Sequence, residues 1–173
     1  MKAFGLLLIA PLALATAVKR DAQQVYNSIT GIDTAVRRLN SALTAYQGGI
    51  PQSQPVFDAS LAIHNVNRQG FAQANASPAF NSADSKRIVD HVNDSVGVSI
   101  PESVKLIEAK KPLFDDAQLS SLIKATIDLL KYDHETFSLA TGAKLSLDQV
   151  GPGAVAAGKI DAVLQEASLF YTV

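Results

Sequence analysis

A chain of 173 residues with 15 Lys and Arg against 16 Asp and Glu carries a formal net charge of −1, and so offers no basic surface for nucleic acid. It has no cysteine, which excludes disulfides, thiolate metal sites and thiol catalysis and leaves stability to packing alone. Hydrophobic residues make up 47% and charged residues 18%, the latter low against about 25% in ordinary globular domains.

The opening stretch MKAFGLLLIAPLALATA has one basic residue, Lys2, then an apolar run from Ala3 to Leu14 and an Ala15-Thr16-Ala17 cleavage pattern. This reads as a secretory signal peptide over residues 1–17, and Pro11 and the shortness of the run argue against a membrane span. Val18-Lys19-Arg20 adds a dibasic pair, so residues 18–20 read as a short processed propeptide. Removing residues 1–20 takes away three basic residues and no acids, leaving 12 against 16 and a net charge of −4. The expected location is secreted, extracellular. Residues 21–173 are long enough for one domain with a sizeable core. Asn75-Ala76-Ser77 and Asn93-Asp94-Ser95 are N-glycosylation sequons, the first weakened by Pro78.

From Ala22 to Gln47, Val25, Ile29, Ile32, Val36, Leu39, Leu43 and Tyr46 recur at alternating spacings of 4 and 3, one continuous apolar seam on a helix. GGIPQSQP, residues 48–55, predicts a loop, and a second helix follows from Val56 to about Ala74. Ser82 is a candidate cap for a third helix carrying Ile88, Val89, Val92 and Val96, with a break expected at Ile100-Pro101. Asp116 to Thr141 forms another amphipathic helix, and a last one is predicted to begin near Pro152 with Val155, Ile160, Val163, Leu164, Ala167 and Phe170. No stretch alternates as a strand does. The fold expected is all-α, a bundle of about five amphipathic helices without disulfides.

LIEAKKPLFDDA, residues 106–117, reads as a helix-to-helix corner. Lys110 and Lys111 place charge on the carbonyl end of the preceding helix, and Pro112 forbids its continuation. Asp115 as N-cap puts Gln118 at N3 for a capping box and lets Phe114 staple onto Leu119.

Catalytic and metal signatures are weak. Asp133-His134-Glu135 and the Asp90, His91, Asp94 group lack a further ligand in register, and HExxH and G-x-S-x-G are absent. GPG at 151–153 is too short to cradle phosphate. No enzyme activity, metal or cofactor is expected. His134 extends the seam of Ile127, Leu130 and Phe137, either as a satisfied core histidine or as a polar anchor at one end of an apolar cavity. His64, beside Leu61, invites the same two readings.

A secreted, cysteine-free helical chain with LIEAKKPLFDDAQLSSLIKATIDLL at 106–130 and AAGKIDAVLQEA at 156–167 resembles the fungal hydrophobic surface-binding protein A family, which includes the cell-wall galactomannoproteins. The resemblance implies a wall-associated or secreted bundle that binds lipids, fatty acids among them, or hydrophobic solid surfaces. Cell-wall polysaccharide and secreted hydrolases are further partners it allows. The inward set expected to line a lipid site is Leu61, Val92, Val96, Leu122, Ile123, Ile127, Leu130, Phe137, Ile160 and Leu164, with His64 or His134 at the headgroup. The alternative is a structural wall mannoprotein or host-interaction protein with a dry core and no ligand.

Overall fold

The computed structural model describes residues 10–172, with side chains from residue 21 onward. Most of the expected signal peptide's apolar run therefore lies outside the described residues, and the expected cleavage points at Ala17 and Arg20 fall within the backbone of the first helix.

Helix α1 (Ala10–Ala45) is followed by α2 (Ile50–Ala76), α3 (Ser82–Asp94), α4 (Val96–Ala109), α5 (Lys111–Asp116), α6 (Ser120–Gly142) and α7 (Leu147–Phe170), with no strand among the described residues. The chain is all-α, as its periodicity predicts. All seven residues of the α1 seam are at most 5% exposed, so the 4, 3 spacing marks its core face correctly.

The packing is a ring: α1 lies on α2, α2 on α6, α6 on α7, α7 on both α3 and α4, and these two return to α1. Since α3 and α4 together make one broken rod, the ring has five sides. That number matters. Touching rods spaced about 9 Å apart leave a central gap of only about 4 Å when four close a ring, but about 6 Å when five do. Side chains on five rods must reach further inward, and where they are small the centre stays open.

Several boundaries differ from expectation. Helix α2 begins at Ile50, because Pro51 in the first turn gives up an N–H that would be unpaired there anyway, while Pro55 lies on the exposed face. The connection before it is only residues 46–49 and turns at Gly48 and Gly49, whose φ of 112° and 79° only glycine adopts freely. Asn81, not Ser82, caps α3, accepting from the Asp84 N–H at 2.8 Å. The α3–α4 break falls at Ser95 rather than at Pro101, which sits inside α4. Gly97 permits this break, because a Cβ there would stand 2.9 Å from the Val92 carbonyl oxygen. Helix α7 starts at Leu147, with Pro152 in its second turn.

The corner at 106–117 exists, but without the expected capping box. Pro112 starts the short α5 instead of merely ending α4, and α5 continues through Asp116 before Gln118 turns the chain at φ 58°. Asp115 accepts from Lys111 and from the Ser120 hydroxyl, and the Leu119 N–H bonds the Phe114 carbonyl at 2.8 Å. Phe114 is fully buried, stacked on Tyr46 with ring centroids 4.6 Å apart, and closes this end of the ring.

Candidate functional site

Inside the ring lies a cavity of about 770 Å³, within the range of about 300–1,000 Å³ typical of small-molecule sites. Branched residues of α1 (Ile29, Ile32, Val36, Leu39), α3 and α4 wall one side. The facing stretch of α7, whose Gly153 is closed against Leu145 so that a Cβ would stand 2.5 Å from its Cδ1, presents Ala154, Ala156 and Ala157 to the space. Side chains this short cannot reach the centre of a five-sided ring, so the space remains. Gly70 on α2 has the opposite purpose: a Cβ there would meet Phe137 Cζ at 2.9 Å and Ser28 Cβ at 3.0 Å, so it lets α1, α2 and α6 close tightly.

The lining is apolar in effect as well as in composition. Its hydroxyls and amides mostly bond back to their own helices: Ser60 to the Val56 carbonyl at 2.9 Å, Asn67 to Ile63 at 3.1 Å and Thr126 to Leu122 at 2.8 Å. Sealed and empty, 770 Å³ of such space at about 24 cal/mol per Å³ would cost roughly 18 kcal/mol, more than the about 5–15 kcal/mol by which domains are usually stable. The chamber is open on one side instead, so its apolar wall is within reach of solvent and of an entering chain. Lining residues that are themselves exposed are Leu139, Ala143, Val150 and Ala154, which places the mouth between the C-terminal end of α6 and the N-terminal half of α7. Leu139 is 76% exposed and the neighbouring Leu147 96%, so the rim is greasy too.

Of the residues expected to form the site, Val92, Val96, Ile127, Leu130, His134, Phe137, Ile160 and Leu164 line the cavity. Ile123 is buried in the core without reaching it. Leu61 and Leu122 do not face inward; they are 57% and 50% exposed. The physical reason is a shift of one residue, about 100° of helix rotation. The buried stripe of α2 is Val56, Ser60, Ile63, Asn67, Gly70 and Ala74, and that of α6 contains Ile123 and Ile127. Polar Ser60 and Asn67 disguise the α2 stripe in the sequence. The contributions of α1, of Ile100, Val104 and Ile107 on α4, and of the α7 alanines were also missed, although 3, 4 spacing was available as a signal for the first two.

His64 also lies outside the cavity. Its Nδ1 is 2.6 Å from Asp133 Oδ2 in the α2–α6 seam, and Arg68 stands 3.7 Å from the other oxygen while donating to the Thr136 hydroxyl at 3.1 Å. Asp133 is fully buried, and the group ties α2 to α6. One residue on, His134 points to α7, with Nε2 3.3 Å from the Ala157 carbonyl oxygen and 3.2 Å from Asp161 Oδ1. Burial pushes the His134 pKa below its ordinary value, against the opposing pull of Asp161, so the ring is neutral at neutral pH. The sequon residues Asn75 and Asn93 are both exposed, in the last turns of α2 and α3. Among the described residues no cluster of three potential ligands could hold a metal ion, and no helix is long and apolar enough to cross a membrane.

Fold and cavity together define a helical-bundle protein that encloses an apolar chamber. A sequence model for hydrophobic surface binding protein A matches residues 22–142, and the chain belongs to that family. No curated protein matches the sequence. Among solved structures, AFMP4P in complex with palmitic acid is similar at a TM-score of 0.84 and 22% identity, over 87% of this chain and 99% of that one. Ligand binding domain 1 of the Penicillium marneffei MP1 protein, complexed with arachidonic acids, gives 0.83 and 18%, over 88% and 99%. Ligand binding domain 2 of the same protein, with multiple arachidonic acids, gives 0.81 and 15%, over 87% and 95%. At these identities the likeness is one of fold.

Proposed function

We propose that this protein is a secreted or wall-associated, non-enzymatic binder of long-chain lipids, fatty acids among them, which holds the hydrocarbon in the chamber and meets oily surfaces with the rim of its mouth. The observation that carries the reading is the apolar chamber itself, large enough for a long hydrocarbon chain and open at one side. A chain of about 16 methylenes transferred at about 0.8 kcal/mol each gains about 13 kcal/mol gross, against an association cost of about 4–15 kcal/mol. At the lower end of that cost the surplus of about 9 kcal/mol reaches micromolar affinity without any strong polar contact. Solved proteins of the same fold that hold palmitic and arachidonic acids support the assignment. The exposed Leu139, Leu147 and Val150 beside the mouth give a lipid or an apolar solid a first contact. A structural mannoprotein with a dry core fits less well, since such a core would have been packed.

Native mass spectrometry of protein purified from its own secreting source tests the proposal. The outcome expected is a mass addition of one or a few long-chain lipids, lost on delipidation and restored by palmitic acid. Protein that carries nothing as purified, and takes up no palmitic acid after delipidation, overturns it.

A further inference from the structure

The wall between α6 and α7 carries the cavity's uncommitted polar groups. His134, Ser138 and Thr141 follow one another at helical spacing along α6, and Asp161 faces His134 from α7; all four line the cavity. Two of their oxygens are buried without a hydrogen bond. Asp161 Oδ1 stands 3.2 Å from His134 Nε2, near enough for an ion pair, yet makes no aligned hydrogen bond. Thr141 Oγ1 has no partner.

That vacancy at Thr141 is unusual within this chain. Thr30, Thr34, Thr44, Thr126, Thr136 and Thr172 each donate to the carbonyl four residues back. Among the threonines whose side chains are described, from residue 21 onward, Thr141 alone does not. A buried hydroxyl and a buried carboxylate oxygen left unpaired on a cavity wall are costly unless an occupant satisfies them.

The sign of the charge there is equally telling. Among the described residues no lysine or arginine lines the cavity, while two carboxylates, Glu135 and Asp161, do. Glu135 is paired with Lys131, and His134 is held neutral by its burial. An anionic headgroup drawn inside would meet Asp161, whose neighbouring cation Lys131 lies outside the lining and is already paired with Glu135. An alcohol or an ammonium group would instead donate to Asp161 and Thr141.

Resting on the hydrocarbon-binding reading above, we propose that the α6–α7 wall selects the head of the bound lipid. The preferred ligand is a single long chain ending in a hydrogen-bond-donating group without negative charge, a long-chain alcohol or amine. A fatty acid is held more weakly, with its ionised carboxyl left at the mouth.

The test is displacement of the neutral dye N-phenylnaphthylamine from delipidated full-length protein at neutral pH, by tetradecanol, tetradecylamine or tetradecanoate below their aggregation concentrations. Tetradecanol and tetradecylamine are expected to compete about tenfold better than tetradecanoate. In Asp161→Asn the amine should lose its advantage and tetradecanoate should gain severalfold, and in Thr141→Val the alcohol should weaken. Circular dichroism confirms that each variant is folded, and the wild-type ranking stands without either. Tetradecanoate competing as well as the other two, or a ranking unmoved in folded Asp161→Asn, overturns the headgroup proposal while leaving hydrocarbon binding intact. If none of the three displaces the dye, it is hydrocarbon binding itself that fails.

Discussion

Lys110, the residue between α4 and α5, donates from Nζ to the carbonyl of Tyr46 at 2.7 Å and to that of Thr44 at 3.3 Å, so its side chain caps the C-terminal end of α1 and not that of α4. The charge therefore joins two rods of the ring at the end that Phe114 closes. Its neighbour Lys111 bonds instead to Asp115 on the surface. Lys110→Met keeps the aliphatic stem and removes the donor, leaving two helix-end carbonyls unserved. We expect a loss of about 1–2 kcal/mol by urea denaturation. Lys111→Met should stay within error of the wild type, and equal losses in both variants would refute the cross-helix role.

Glycines in two helices should respond in opposite directions to the same change. Gly70→Ala drives a methyl to within 2.9 Å of Phe137 and 3.0 Å of Ser28, and is expected to cost about 1–3 kcal/mol as Phe137 shifts towards the cavity. Gly158→Ala meets nothing within 4 Å on the exposed face of α7, and should gain about 0.5–1 kcal/mol from reduced backbone freedom. Thermal melts of both proteins decide the matter, and stabilisation by Gly70→Ala would mean that the three helices are not in close contact there.

The contrast between those glycines shows what was legible in the sequence. Helix identity and the α1 core face followed from spacing alone, because seven large residues leave one solution for a 3.6-residue period. Inward positions on α2 were obscured by Ser60, Asn67 and Gly70, which are buried because their polar atoms bond within the helix or because they are small. An apolar-only pattern therefore slid one residue to Leu61. The cavity was harder still to locate, since it arises where α7 offers alanine to a five-sided ring. Small residues in a sequence are equally compatible with tight packing, and only the ring geometry separates the two cases. Asp133 gave no local sign of burial, since its partners His64 and Arg68 are more than sixty residues away in the chain.

Leu130 lies on the cavity wall, partly buried, and a larger side chain there has open space to enter rather than packed atoms to displace. Leu130→Trp is expected to keep the far-ultraviolet circular dichroism of the wild type and to raise the melting temperature of the delipidated protein by a few degrees, since it fills costly space. Affinity for palmitic acid should fall at least about tenfold, because the indole occupies the volume of several methylenes at about 0.8 kcal/mol each. Unchanged affinity in a stably folded variant would place the hydrocarbon elsewhere.

Stability should also fall on mild acidification, in a window set by buried histidine. Burial pushes His134 below its ordinary pKa of 6.5, with Asp161, the Ala157 carbonyl and Glu135 pulling it up and Lys131 pushing it further down. His91, stacked on Tyr26, is likewise lowered, chiefly by burial. As pH drops through about 6.5 the unfolded chain therefore takes up protons that the folded chain does not, and unfolding becomes easier until the folded-state pKa values are passed. The lowered carboxylates Asp115 and Asp128 act only near and below the ordinary 3.8, while Glu108, raised above 4.5 by burial, takes up its proton earlier in the folded chain and opposes the histidines in the interval between the two values. His134→Gln keeps a donor for the Ala157 carbonyl without a titrating ring. Its urea midpoint should decline less steeply than that of the wild type across this interval, with His91 and the opposing Glu108 common to both proteins. Parallel declines in the two proteins would show that His134 titrates as it does in the unfolded chain, and so is not buried against α7.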